Sequence, residues 1–209
     1  MTCSLSLSLK LLAIFSLLFS FPSISDNGQH PCYVSFSFGA FASISDKNRA
    51  PIFLKIMKEI EEQLLDFDLE NPVMNRHILG VSLGGANATE LWLRYPKLFK
   101  KVGLVSPALT PLDANTITSY EKCSQYSKES GAYMTLINLM SFLAPKKYKD
   151  KRKITDVHPL SLACKLVSSE HSPILIHTGN KDEYGFHDGA KLLGQILHLK
   201  NHPSLVKIY

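Results

Sequence analysis

The sequence predicts an α/β protein built on a doubly wound, mostly parallel sheet. Three observations carry that prediction. Short β-branched and apolar runs alternate along the chain with segments whose apolar residues recur at helical spacing. Strand, helix, strand and helix follow one another in the order that a parallel sheet with helices on both faces requires. The composition, 45% hydrophobic and 20% charged over 209 residues, is that of an ordinary globular chain and suits a single domain. The balance of 23 basic against 18 acidic residues, a net of +5, is too mild to call for a nucleic-acid partner, and none is expected.

Residues 1–25 stand apart. Residues 11–21, LLAIFSLLFSF, form an uncharged run of eleven, too short for a bilayer core that needs about 20 apolar residues. Lys10 precedes the run, and Ser23 and Ser25 place small residues at −3 and −1 before Asp26. The pattern predicts a signal peptide over 1–25, a mature domain over 26–209, and a secreted or periplasmic location. No later stretch is long and apolar enough to span a membrane. The mature chain holds Cys32, Cys123 and Cys164, so at most one internal disulfide can form. No cysteine or histidine spacing supports a metal site, and no cofactor is expected.

The elements follow in order. Cys32–Phe38 is a β-branched and aromatic run, predicted as a strand ended by Gly39. Residues 51–66 place Ile52, Ile56, Ile60 and Leu64 on one face behind Pro51, an amphipathic helix. His77-Ile78-Leu79 approaches Gly80 as a strand end. Residues 84–94 read as a helix stopped by Tyr95-Pro96. Val102–Ser106 and Ile174–His177 are short buried strands. Ala190–Leu199 repeats leucine at helical spacing, and Leu205–Tyr209 is a last strand. Residues around 110–160 lie where a cap would be inserted, and Tyr120, Tyr126, Tyr133 and Phe142 there are candidates to line a pocket. The basic run from Lys146 to Lys153 reads as a solvated loop.

One motif carries chemistry. Gly80-Val81-Ser82-Leu83-Gly84 fits G-x-S-x-G, with Gly85 directly after, between a predicted strand and a predicted helix. That is the setting of a nucleophile elbow, a sharp turn that lifts a serine Oγ above the sheet edge. Small residues must flank such a turn, and Gly80, Gly84 and Gly85 supply them. The Leu83 N–H at the helix N-terminus is the candidate oxyanion donor. A second donor would come from near Gly39 and Ala40.

The stretch from His77 to Leu109, HILGVSLGGANATELWLRYPKLFKKVGLVSPAL, resembles the Putative esterase family of α/β-hydrolases. That family includes S-formylglutathione hydrolases, enterochelin esterases, feruloyl esterases and mycolyltransferases. The matching pieces are the elbow Gly80 to Gly85, the Tyr95-Pro96-Lys97-Leu98-Phe99 element and Ser106-Pro107. Downstream, HSPILIHTGNKDEYG from His171 to Gly185 is similar to the strand and loop that present the family's catalytic acid. The resemblance covers roughly residues 33–209. It implies an α/β-hydrolase fold and a serine-dependent carboxylic ester hydrolase acting on a small-molecule ester. Ser82 would be the nucleophile and Asp182 the acid, in the chain order serine, acid, histidine. Glu183 and Asp188 are weaker candidates for the acid.

The expected general base has no obvious owner. The family places it after the last strand, where this sequence reaches Tyr209. Of the histidines after Asp182, His187 lies in the same loop, His198 in a leucine-rich helix, and His202 ahead of a parallel strand, at its wrong end. The amino-terminal part is short by the same comparison and holds no His-Gly element. The alternatives are therefore an inactive or truncated relative that acts as a binding protein, or an acyltransferase on the same scaffold.

Overall fold

The computed structural model describes residues 4–7, 16–21, 32–37, 53–59, 62, 76–111, 120–131, 133–134 and 158–209, the first three stretches by their backbone. Seven strands form one sheet: β1 (Ser4–Leu7), β2 (Ser16–Phe21), β3 (Cys32–Ser37), β4 (His77–Val81), β5 (Lys101–Val105), β6 (Ile174–Thr178) and β7 (Ser204–Ile208). Their spatial order is β1-β3-β2-β4-β5-β6-β7. From β4 to β7 every pair is parallel. β2 runs antiparallel to both neighbours, β3 and β4, and β1 pairs parallel with β3. The sheet is thus mostly parallel, and its four-stranded parallel half carries the helices α1 (Leu83–Arg94), α3 (Pro159–Cys164) and α4 (Phe186–Leu199). A further helix, α2 (Tyr120–Ser130), lies in the region expected to be an insert. Residues 53–59 are helical, within the helix predicted over 51–66.

The strands alternate sharply. Ile78, Val102 and Ile174 share one register row, Leu104 and Ile176 the next, and all five are buried. Against this face pack Ala88, Leu91 and Trp92 of α1, Leu160 and Ala163 of α3, and Ala190, Leu193 and Leu197 of α4. Burying a leucine or isoleucine contributes about 1.5–3 kcal/mol, so this layer holds the parallel half together. α4 comes close enough to β7 that a Cβ on Gly194 would stand 2.9 Å from Val206 Cγ2. α3 opens on Pro159, with the His158 ring nitrogen Nδ1 accepting the Leu160 N–H at 3.3 Å.

Parallel strands put all their carboxyl ends on one edge. Ser82 follows β4, Ser106 follows β5, and the loop holding Asp182 follows β6. That edge is where open α/β sheets collect their active sites. His77 and His202 stand at the opposite edge, at the starts of β4 and β7. There the buried Trp92 indole meets His171 and His202 edge-on at 5.3 Å each and donates Nε1–H to the Ser172 carbonyl at 3.2 Å.

Both β1 and β2 fall inside the stretch that the sequence reads as a signal peptide. Gly39, Ala40, Phe142 and the basic run 146–153 lie outside the described residues, as do the side chains of Cys32 and Cys123. Cys164 is a free, exposed thiol. Among the described residues no helix is long and apolar enough to cross a membrane, and no three or more His, Cys, Asp or Glu side chains gather as a metal group would.

Candidate active site

Ser82 turns the chain from β4 into α1 with φ 52° and ψ −120°, a left-handed conformation that a side-chain-bearing residue adopts only under constraint. The neighbouring strand supplies the constraint. The Ser82 N–H donates to the Val105 carbonyl at 3.0 Å, continuing the β4–β5 ladder by one rung. Its carbonyl accepts the Ala108 N–H at 2.7 Å and the Ala86 N–H at 3.2 Å. Both main-chain groups of the serine are therefore satisfied within the bend.

The flanking glycines are required by contact. A Cβ on Gly80 would fall against the Gly84 carbonyl oxygen and within 2.7 Å of Gly85 Cα. A Cβ on Gly85 would stand 2.7 Å from Pro107 Cα. The helix start is thus pressed against both the strand it leaves and the loop after β5. Leu83 is the first residue of α1, where N–H groups have no intrahelical acceptor and carry the positive end of the helix dipole. That is the property an oxyanion donor needs.

Asp182 lies in the loop between β6 and α4, half-buried. Its Oδ1 accepts the N–H groups of Tyr184 at 3.0 Å and Phe186 at 2.9 Å, and its Oδ2 accepts the His187 N–H at 2.6 Å. The carboxylate therefore caps α4 from outside, across the left-handed Gly185 at φ 69°. This explains why α4 starts at Phe186, four residues ahead of the predicted Ala190. The helical leucine spacing begins late, and the first turn is held by a side chain instead.

Asp182 also holds an imidazole. His187 Nδ1 stands 2.9 Å from Asp182 Oδ2, and its other nitrogen, Nε2, stands 3.3 Å from Asp188 Oδ1. His187 is buried and shares the elbow's edge of the sheet. His198 is exposed near the far end of α4, and His202 is at the opposite edge, as its place before β7 implied. Of the three histidines after Asp182, the structure brings only His187 to the carboxylate. Asp188 faces that ring and Lys191, and Glu183 is exposed.

Of the aromatic residues proposed for the insert, Tyr120 and Tyr133 are exposed. Tyr126 is not. Its hydroxyl donates to the Gly185 carbonyl at 2.8 Å, and the Tyr133 N–H donates to the Glu183 carbonyl at 2.8 Å. The side chains of Thr110 and Ser130 lie near the same phenol. Burial, with Asp188 and Asp182 adding to it, pushes the phenol up to about 12 against the opposing pull of nearby Ser130 and Thr110, so it remains a donor at every ordinary pH. The sequence placed Tyr126 in a possible cap but held no signal for its partner, which lies 59 residues away.

A mostly parallel α/β sheet with a serine at a strained strand-to-helix elbow defines the α/β-hydrolase class. Within that class, residues 48–208 match the family Esterase, described as Putative esterase, and the chain belongs to it. Solved structures show the same fold. The acylaminoacyl peptidase of Pyrococcus horikoshii aligns with a TM-score of 0.54 at 15% identity, over 86% of this chain and 27% of its own. A ferulic acid esterase aligns at 0.52 and 12%, over 86% and 62%. The Francisella virulence factor BioJ aligns at 0.51 and 20%, over 85% and 55%. The chain spans less than two thirds of the length of each of these proteins. A search of curated proteins found no match.

Proposed function

We propose that the protein is a serine-dependent carboxylic ester hydrolase whose nucleophile is Ser82. The observation that carries this is the backbone of Ser82, held at φ 52° between strand and helix by bonds to Val105 and Ala108. A strained non-glycine residue flanked by glycines that admit no Cβ is a costly feature with a ready use. Ser82 Oγ would add to the acyl carbon of a small-molecule ester, with its proton passing to an imidazole and the Leu83 N–H receiving the developing oxyanion. Expulsion of the alcohol leaves an acyl-enzyme, which water then hydrolyses. Asp182 is the acid that orients the imidazole. In this structure the ring on Asp182 is that of His187, and its other nitrogen is held at 3.3 Å by Asp188 Oδ1. Family membership supports the ester-hydrolase reading.

The test uses the full chain, Ser82→Ala and His187→Gln, with p-nitrophenyl acetate turnover and labelling by a fluorophosphonate. Wild-type turnover and labelling should both be lost in Ser82→Ala, by at least about 1,000-fold in rate. A comparable loss in His187→Gln makes His187 the base, whereas retained turnover places the base on another residue. A folded wild type that neither labels nor turns over would overturn the hydrolase reading in favour of a non-catalytic relative.

A further inference from the structure

The inference rests on the assignment of Ser82 and Asp182 above and concerns a residue outside that pair. We infer that Tyr126 is a positioning residue that holds the loop carrying Asp182 beside the loop that braces Ser82.

The elbow and the acid come from different strands, and something must fix their separation. On the elbow side, the loop after β5 is bound directly to the serine, through the Ala108 N–H on the Ser82 carbonyl. The same loop continues to Thr110, which lies beside the Tyr126 phenol. On the acid side, the phenol donates to the Gly185 carbonyl, and the Gly185 N–H in turn donates to the Asp182 carbonyl at 3.2 Å. One hydroxyl therefore stands between the two loops and donates to the one that carries Asp182. A second strut runs parallel to it, the Tyr133 N–H on the Glu183 carbonyl. The insert thus contributes a brace rather than a pocket wall at this position. Gly185 sits at φ 69° where the chain enters α4, and its carbonyl also accepts the Asp188 N–H at 3.3 Å.

A brace of this kind acts on geometry, and its loss should act on turnover more than on binding. A displacement of about 1 Å between reacting groups costs about 100-fold in rate. Tyr126→Phe removes the hydroxyl alone. In the full chain it should lower kcat for p-nitrophenyl acetate about 10- to 100-fold, with KM changed less than about twofold. Hydrogen exchange supplies a readout that does not depend on activity. Loss of one net hydrogen bond of about 1 kcal/mol should speed exchange at amides 184–188 about fivefold, while amides of α1 are unchanged. Unchanged exchange at 184–188 in Tyr126→Phe would overturn the inference, as would faster exchange with wild-type kcat. If the wild type neither labels nor turns over, the hydrolase assignment falls by itself, and the exchange experiment still decides whether Tyr126 holds the acid loop.

Discussion

At the residue scale, His202 shows how a buried ring couples stability to pH. Its Nε2 faces the His171 carbonyl at 3.3 Å and must donate to it, which leaves Nδ1 as a bare acceptor, buried and with no hydrogen-bond partner among the described residues. Protonating Nδ1 would put an N–H where nothing receives it. Burial first, and the nearby His171 charge after it, hold the ring below its ordinary 6.5, although the bond to the His171 carbonyl pulls the other way. His77 is lowered in the same sense by burial, Lys101 and Lys100. In both cases the unfolded chain takes up the proton at higher pH than the folded one, so stability is complete above about 6.5 and falls as pH drops through and below that value. Thermal unfolding of the full chain should show a lower midpoint at about pH 5.5 than at about pH 7.5, and His202→Gln should flatten that slope even where it lowers both midpoints. An unchanged slope would mean that the protonated ring finds an acceptor. Nothing in Asn201-His202-Pro203 announces this chemistry, because the tryptophan it packs on is 110 positions away. Ser82 is the contrary case. Its role is legible because the serine and the glycines that flank it fall within six residues, from Gly80 to Gly85.

At the element scale, legibility follows the same division. Strands β4, β5, β6 and β7 and helix α1 lie within a residue or two of the boundaries that periodicity predicts, since each is a self-contained apolar pattern. Helices α2 and α3 were not foreseen, because their apolar residues are few and their partners distant. The apolar stretch at 11–21 carries two meanings, since a short apolar run suits a leader and a buried strand alike. That ambiguity has a consequence for the sheet. β3 takes its hydrogen bonds from β1 on one side and β2 on the other, and β2 alone links β3 to β4. Removing residues 1–25 strips β3 of both partners and exposes the edge of β4. The 26–209 chain should therefore unfold at lower denaturant than the full chain. By hydrogen exchange, its β3 amides should be unprotected while β4 to β7 keep their protection. Protected β3 amides in the 26–209 chain would show that the strand pairs without residues 1–25.

At the scale of the whole molecule, the two faces of the sheet are unequal. α1, α3 and α4 share one face, the one bearing Ile78, Leu104 and Ile176. On the other, a single register row runs from Leu79 through Gly103 and Leu175 to Leu205. Its three leucines are 38%, 40% and 55% exposed, against complete burial of Leu104 one position along. Parallel strands ordinarily need cover on both faces, because their residues on each side are apolar. A half-exposed leucine row is the mark of a face whose cover is partial. The next row on that face, Val81, Val105, His177 and Lys207, turns polar toward the edge strand. The leucine row should bind an apolar dye. The full chain should raise anilinonaphthalene sulfonate fluorescence under native conditions, and Leu175→Lys with Leu205→Lys should remove most of that signal. Because both side chains already meet water, the double variant should unfold at nearly the wild-type urea concentration, each change costing no more than about 0.5 kcal/mol. Full dye binding in the double variant would place the exposed apolar surface elsewhere. A large loss of stability would show that the leucines pack in solution against a segment that covers this face.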